Sequence, residues 1–367
     1  FLCYSKIKLF PILLISDDTT KYLSIGFMIK RFPWIFLLFC LACEKDELPP
    51  METTLLETWE VNEILSTWLF NFSEKTQFVN EWVGFRTGPF LYKTTDGGRN
   101  FTGIFEIPYS PNPPYVFALD EKQLWLTSTR LEEGNKSSQG IVYRSKDGGE
   151  TWEVFERKNT FLKIISFSNP TRGFAYAVEY SDGLNDRFQL FQTDDGGETW
   201  YPRDLDLSRV NLIQFLWKTE DLGFIVGLDG AHFRTLDGGQ TWTTFRSNPS
   251  GSESFFYPID ADRYYEMRFS ETIQGNWASQ TVTRLDHPIY ILSQTGQDVI
   301  GFLLDEDVFP TLLAKNWLMS SKDGGVTWEK HLGVSIDNII RREQEISPGL
   351  VFISDRNSAN MIQIMKK

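Results

Sequence analysis

Short apolar runs separated by glycine and aspartate recur along this chain, and one stretch shows the whole pattern. Leu212–Trp217, Leu222–Gly227, Ala231–Thr235 and Thr241–Phe245 are four runs of strand length. Turn residues separate them at Glu220-Asp221, Leu228-Asp229-Gly230 and Leu236-Asp237-Gly238-Gly239. β-Branched and aromatic runs bounded by Gly and Asp read as strands joined by hairpins. The stretch predicts a four-strand antiparallel unit.

Its last turn is repeated along the chain. Thr95-Asp96-Gly97-Gly98, Lys146-Asp147-Gly148-Gly149, Asp194-Asp195-Gly196-Gly197 and Lys322-Asp323-Gly324-Gly325 share it with Leu236–Gly239. Four copies continue to Thr-Trp, at Trp152, Trp200, Trp242 and Trp328, and the first runs to Phe101. The aspartates stand 51, 48, 42 and 86 residues apart, so the last interval holds two units. Four-strand units at such a period predict an all-β fold, a β-propeller. Glycine supplies positive φ in the turn, the Asp carboxylate can accept its backbone N–H groups, and the Trp offers a large ring to bury between blades.

The blade count rests on the places where this box has decayed. Ser270–Trp277 keeps a serine, a glycine and a final tryptophan, and is read as a degenerate box. Glu57-Thr58-Trp59-Glu60-Val61 repeats Glu150-Thr151-Trp152-Glu153-Val154 without the preceding turn, while the closing strand Asn360–Met365 reaches no Asp-Gly-Gly. The segment around Trp59 is therefore expected to form the outer strand of the last blade, closing the ring and leaving no open sheet edge. The box-end aromatics Trp59, Phe101, Trp152, Trp200, Trp242, Trp277 and Trp328 then predict a seven-bladed propeller, with six or eight as the alternatives.

These residues resemble the Asp-box (bacterial neuraminidase repeat) pattern Ser/Thr-x-Asp-x-Gly-x-Thr-Trp. With Gly223-Phe224-Ile225-Val226-Gly227 ahead of the box, the unit is similar to the seven-bladed photosystem II stability/assembly factor type, over residues 57–367. Sialidases, xyloglucanases, sortilin-like receptors and assembly factors all carry the box, on the outer hairpin of a blade away from the substrate face. The resemblance thus implies a structural role for Asp96, Gly98, Asp147, Gly149, Trp152, Asp195, Gly197, Trp200, Asp237, Gly239, Trp242, Asp323, Gly325 and Trp328.

The N-terminal region reads differently. Met28 is the first methionine, and residues 1–27 are expected not to be native. Lys30-Arg31, then the apolar Phe32–Ala42 ending on Leu41-Ala42-Cys43, describe a secretory signal over residues 28–42. It resembles a bacterial lipoprotein signal, which implies lipidation of Cys43. Glu44-Lys45-Asp46-Glu47 resembles the surface-export signal of Bacteroidetes lipoproteins and implies an outer-membrane, surface-exposed location in the cell envelope. Residues 43–56, with Pro49-Pro50, read as a tether.

The formal net charge is −13. Without residues 1–42 the balance becomes 31 basic against 47 acidic side chains, or −16. Such a surface disfavours nucleic acid and bare anionic lipid, so membrane contact is expected through the lipid on Cys43. Cys3 and Cys40 precede the cut, which leaves neither an intramolecular disulfide nor a second thiol.

In a four-strand blade the box turn and the first turn share one rim. The middle loop and the crossover to the next blade share the other, where propellers usually bind ligands. On that crossover rim Arg86, Arg130, Asp182, Arg187 and Asp305 are the binding candidates, among Phe85–Thr87, Arg130–Gln139, Tyr180–Arg187 and Asp305–Lys315. Catalytic groups are not evident. Glycoside hydrolysis needs two carboxylates facing one bond, and Glu132, Glu133, Asp182, Asp186, Asp305, Glu306 and Asp307 carry no distinguishing pattern. Arg263-Tyr264-Tyr265-Glu266 has sialidase residue types, but strand neighbours point to opposite faces, which favours packing for both tyrosines. His232, His287 and His331 are isolated, so no metal or cofactor is expected. Trp82, Trp125, Trp217 and Trp317 fall on predicted strands and read as core.

Two functions are compatible with this pattern: a non-enzymatic, lipid-anchored propeller binding a protein or glycan partner through one rim, or a secreted glycoside hydrolase of sialidase or xyloglucanase type. The anchor is directly testable. Cys43→Ala should abolish metabolic palmitate labelling of the protein, and persistent labelling would exclude Cys43 as the lipid site.

Overall fold

A computed structural model describes residues 52–56, 59–65, 76–108, 110, 113–131, 138–179, 187–205, 207, 212–227, 231–246, 255–268, 271–303, 315–337, 343–347, 349–354 and 360–367. Among them every regular element is a strand. The strands form six four-stranded sheets and one five-stranded sheet, all antiparallel, which are the blades of a seven-bladed propeller. In chain order blades one to six span residues 76–106, 115–158, 160–203, 212–246, 255–284 and 289–337. Blade seven combines 343–366 with 52–65.

The parse of blade four holds closely: its strands are Leu212–Trp217, Gly223–Gly227, Ala231–Thr235 and Thr243–Arg246. Its second strand is buried along its whole length because neighbouring blades cover both faces.

Ring closure also follows the expectation. Trp59–Leu65 pairs antiparallel with Asn360–Lys366, from Trp59 opposite Lys366 to Leu65 opposite Asn360. Trp59 is fully buried among Ile291, Val299, Leu318 and Ile364, between blades six and seven. On the other side, Phe78 of blade one stacks on Phe352 of blade seven at 3.8 Å. The Gln363 side-chain amide donates to the Glu81 carbonyl at 2.9 Å and accepts from Asn62 at 3.2 Å. One element of the closure was not expected. Glu52–Leu55, read as tether, is a fifth strand on the outside of Trp59–Leu65.

The boxes are turns held by their own side chains. At Asp323, the Ser321 hydroxyl donates to one carboxylate oxygen at 2.8 Å and accepts the Gly325 N–H at 2.9 Å. The Val326 and Thr327 amides donate to the same carboxylate at 3.0 and 2.9 Å, and the Thr327 hydroxyl at 2.6 Å. Asp147, Asp195 and Asp237 repeat the arrangement with Thr151, Thr199 and Thr241, and at Asp96 Asn100 takes the threonine's place. Both glycines lie in the left-handed region, at φ 75° and 91° in the last box, where a Cβ would be strained. The indole N–H groups of Trp152, Trp200 and Trp328 donate to the carbonyl of the second box glycine at 3.1, 3.0 and 2.9 Å.

Each box also docks on its neighbours. The first box glycine donates its N–H to the first turn of its own blade, as Gly196 does to Thr171 and Gly324 to Gln297, both at 2.8 Å. This places the two turns on one rim, as predicted. Carbonyls of the box accept from the preceding blade: Gly196 from the Trp125 indole at 2.8 Å, and Gly324 from the Tyr265 hydroxyl at 3.0 Å. Arg144, 4% exposed, donates to the Asp195 and Gly196 carbonyls and pairs with Glu153 and Glu198 at 2.7 and 2.6 Å. A buried guanidinium with every direction occupied ties blade two to the box of blade three.

The degenerate box differs from its reading. Glu271–Asn276 is the third strand of blade five, and Trp277 opens a short turn after it rather than ending a box. Its N–H donates to the Asp262 carbonyl at 2.8 Å, the bond that a first box glycine makes elsewhere. The ring nevertheless fills the expected place. Trp277 packs on Phe224 of blade four at 5.5 Å, as Trp242 packs on Phe174 of blade three at 5.7 Å. The side chain does the same packing from a shifted backbone position. Trp82 was read as core on a strand; it sits in the first turn of blade one and is 54% exposed.

Two outcomes are expected. Trp59→Ala removes a fully buried ring from the closing strand and should cost about 3–5 kcal/mol in denaturant unfolding; an unchanged midpoint would mean that closure does not depend on it. The second concerns acid. At Asp323 the Thr327 hydroxyl and amide and the Ser321 hydroxyl hold the carboxyl down at about 2. At Asp195 burial opposes the charged form, but bonds from Thr199 and Thr193 overcome it and also bring the carboxyl to about 2. An unfolded Asp titrates at about 3.9. These groups therefore stabilise the fold above that pH and lose the contribution as pH falls towards about 2. Asp323→Asn should be less stable than the parent at neutral pH, with the gap narrowing as pH drops through that window; a gap independent of pH would refute the carboxylate's role.

Candidate functional site

The box rim is committed to holding blades together, which leaves the crossover rim as the surface on which loops from different blades meet. Its described part lies mainly on blades one to three. Blade two passes to blade three through a single residue, Asn159, in the left-handed conformation at φ 52°. Asparagine tolerates this region better than most residues. The chain then runs directly over the third strand of blade two: a Cβ on Gly140 would stand 2.8 Å from the Thr160 carbonyl oxygen. Gly140 is required by that close approach. No cluster of loop-forming residues marks this crossover in the sequence.

Around Asn159 stand two ion pairs and a lysine over an aromatic ring. Arg130, at the end of the second strand of blade two, is exposed; its guanidinium donates to Glu156 at 2.8 Å and to Gln139. Arg157 reaches to blade three, pairing with Glu179 at 2.9 Å and donating to the Trp200 carbonyl at 3.2 Å, with its guanidinium 4.5 Å from the Phe191 ring. Lys163 lies over Phe188 at 4.8 Å. The Ser110 hydroxyl accepts the Thr129 N–H at 3.0 Å, which fastens the crossover between blades one and two to the same strand that carries Arg130. The result is a polar, mostly paired surface on a stiff support. It can offer hydrogen bonds and exchange ion-pair partners with an incoming chain. Partly exposed pairs of this kind contribute little to stability, about 0–1 kcal/mol, so a partner can displace them at small cost.

The predicted rim residues are placed unevenly. Arg130 is on the rim as expected. Arg86 is not: it is 2% exposed within Gly84–Thr87, with its guanidinium 5.9 Å from the Phe101 ring, so it belongs to blade packing rather than to a binding surface. Arg187 begins the third strand of blade three, opposite Glu179. Asp182 and Asp305 lie outside the described residues, as do Glu132, Glu133, Asp186, Glu306, Asp307 and the lipidation candidate Cys43. Sequence reasoning missed Arg157, Glu179 and Lys163. The basic pair Arg157-Lys158 ahead of Asn159 was the available signal, but nothing local shows that Arg157 spans two blades.

The sialidase-like string separates as strand geometry requires. Tyr264 packs with Trp277 and Phe256 towards blade four, while the Tyr265 hydroxyl donates to the box of blade six. His232 is fully buried 4.6 Å from Phe256, and burial pushes it down to about 4, which keeps it neutral within the core. His331 meets the Ser320 hydroxyl at 2.8 Å. Among the described residues no group of three or more His, Cys, Asp or Glu side chains is arranged to hold a metal ion.

Comparison with known proteins agrees with this architecture. The BNR/Asp-box repeat matches residues 143–154, the box of blade two. An 82-residue stretch is 33% identical to the photosystem II assembly lipoprotein Ycf48 of Synechococcus sp. (strain CC9902), covering 22% of this chain and only 22% of that protein's length. Among solved structures, Ycf48 bound to a D1 peptide superposes with a TM-score of 0.57 at 14% identity, over 88% of this chain and all of the other. Ycf48 from Cyanidioschyzon merolae gives 0.53 at 15% identity, over 86% and 99%. The chain is an Asp-box (BNR-repeat) seven-bladed β-propeller, similar in fold to the Ycf48 propellers.

Proposed function

We propose that this chain is a non-enzymatic propeller of the cell envelope, held to the outer membrane by lipid on Cys43, that binds a protein partner on its crossover rim. The observation that carries the reading is the division of labour between the rims. Box and first-turn backbone groups are used in bonds within and between blades, whereas Arg130 on the crossover rim is exposed and pairs with the exposed Glu156. A stiff ring that presents loops of several blades around one surface suits display of a binding face rather than movement around a reacting centre. The stretch shared with an assembly lipoprotein, and a propeller of the same fold bound to a peptide, support a protein as the partner.

The reading predicts where contact occurs. A photo-crosslinking residue at Arg130 should capture a defined protein from the native envelope fraction, and one at Val326, on the box rim and 76% exposed, should not. Capture confined to Val326, or equal at both positions, would overturn the choice of rim.

A further inference from the structure

The fifth strand of blade seven determines the side from which the chain enters the ring. Trp59–Leu65 runs from the box rim, where Trp59 faces Lys366, to the crossover rim, where Leu65 faces Asn360. A chain feeding straight into it would arrive from the box side. Instead Glu52–Leu55 runs antiparallel outside it, with Glu52 opposite Glu63 and Leu55 opposite Glu60. The reversal is closed by the Leu56 N–H donating to the Trp59 carbonyl at 2.8 Å, and Lys367 donates to the Leu56 carbonyl. Glu52 therefore lies at the crossover end of blade seven. Between Cys43 and Glu52 stand residues 44–51, so even a fully extended connection spans only about 30 Å.

We propose that this added hairpin sets the attitude of the propeller at the membrane: the crossover rim faces the bilayer and the box rim faces away. The inference rests on the lipid-anchor reading above. The occupant of the crossover rim is then the exposed segment of a membrane-embedded protein, standing within about 30 Å of the lipid surface, and not a protein approaching from the aqueous side.

The test couples residues 43–367, within which the ring is closed and Cys43 is the sole cysteine, to a maleimide phospholipid in phosphatidylcholine vesicles containing phosphatidylglycerol. A dye is attached through an azide-bearing residue either at His287, exposed on the crossover between blades five and six, or at Val326 on the box rim. Energy transfer to an acceptor lipid should be several-fold greater from position 287. Replacing residues 52–55 with a Gly-Ser stretch of equal length should abolish that difference while the circular dichroism spectrum stays native. Equal transfer, greater transfer from position 326, or a difference that survives the replacement would overturn the proposal. Chemical coupling bypasses cellular lipidation, so palmitate labelling that persists in Cys43→Ala would refute the anchor without touching this result.

Discussion

The antiparallel pairing of Trp59–Leu65 with Asn360–Lys366 is the constraint on which the rest of the molecule depends. It joins segments some 300 residues apart, as the buried hydrogen bond from the Asn62 side-chain amide to that of Gln363 records with a separation of 301. Without it blade seven would expose a long strand edge, and blades five, six and seven would lose the apolar cluster around Trp59. Closing a loop of that length costs entropy that grows only slowly with length, so one well-packed strand suffices. The ring then becomes a single body in which each blade is buried by two neighbours.

Within that ring the boxes do two kinds of work with the same atoms. Their carboxylates satisfy backbone N–H groups of their own turn, and their carbonyls accept bonds from the blade before. Trp125, Arg144 and Tyr265 are different residue types at these joints, yet each delivers a donor to a box carbonyl. The joint tolerates this variety because a carbonyl accepts any donor of suitable reach. Trp277 extends the lesson: its backbone takes a glycine's place, while its ring takes the tryptophan's. Blades four and five each set a large aromatic against a phenylalanine of the preceding blade, and the box is one way of supplying it.

This economy separates the two rims. Turns used as joints are not free to vary, whereas the described side chains around Arg130 and Arg157 on the crossover rim sit in partly exposed ion pairs. A binding surface assembled from them inherits the stiffness of the ring. The fifth strand adds an orientation to that surface, since a hairpin at the chain's entry decides which rim meets whatever holds the N-terminal segment.

Much of the fold was legible along the chain because its signals are local. Asp-Gly-Gly demands a turn wherever it stands, alternating strands flank it, and repetition at a fixed period allows only a ring of blades; the half-box at Trp59 even announced the closure. The candidate site was far less legible. Arg86 and Arg130 look alike in sequence, each at the end of a second strand, yet one is buried over Phe101 and the other exposed beside Glu156. Arg157 joins two blades through Glu179, and Glu52–Leu55 is a strand only because Trp59–Leu65 offers it an edge. Turn chemistry is written within a few residues, so the chain by itself determined the repeat, the blades and their number. Burial, cross-blade pairing and the direction of entry depend on residues distant in sequence, and only the closed ring decided those.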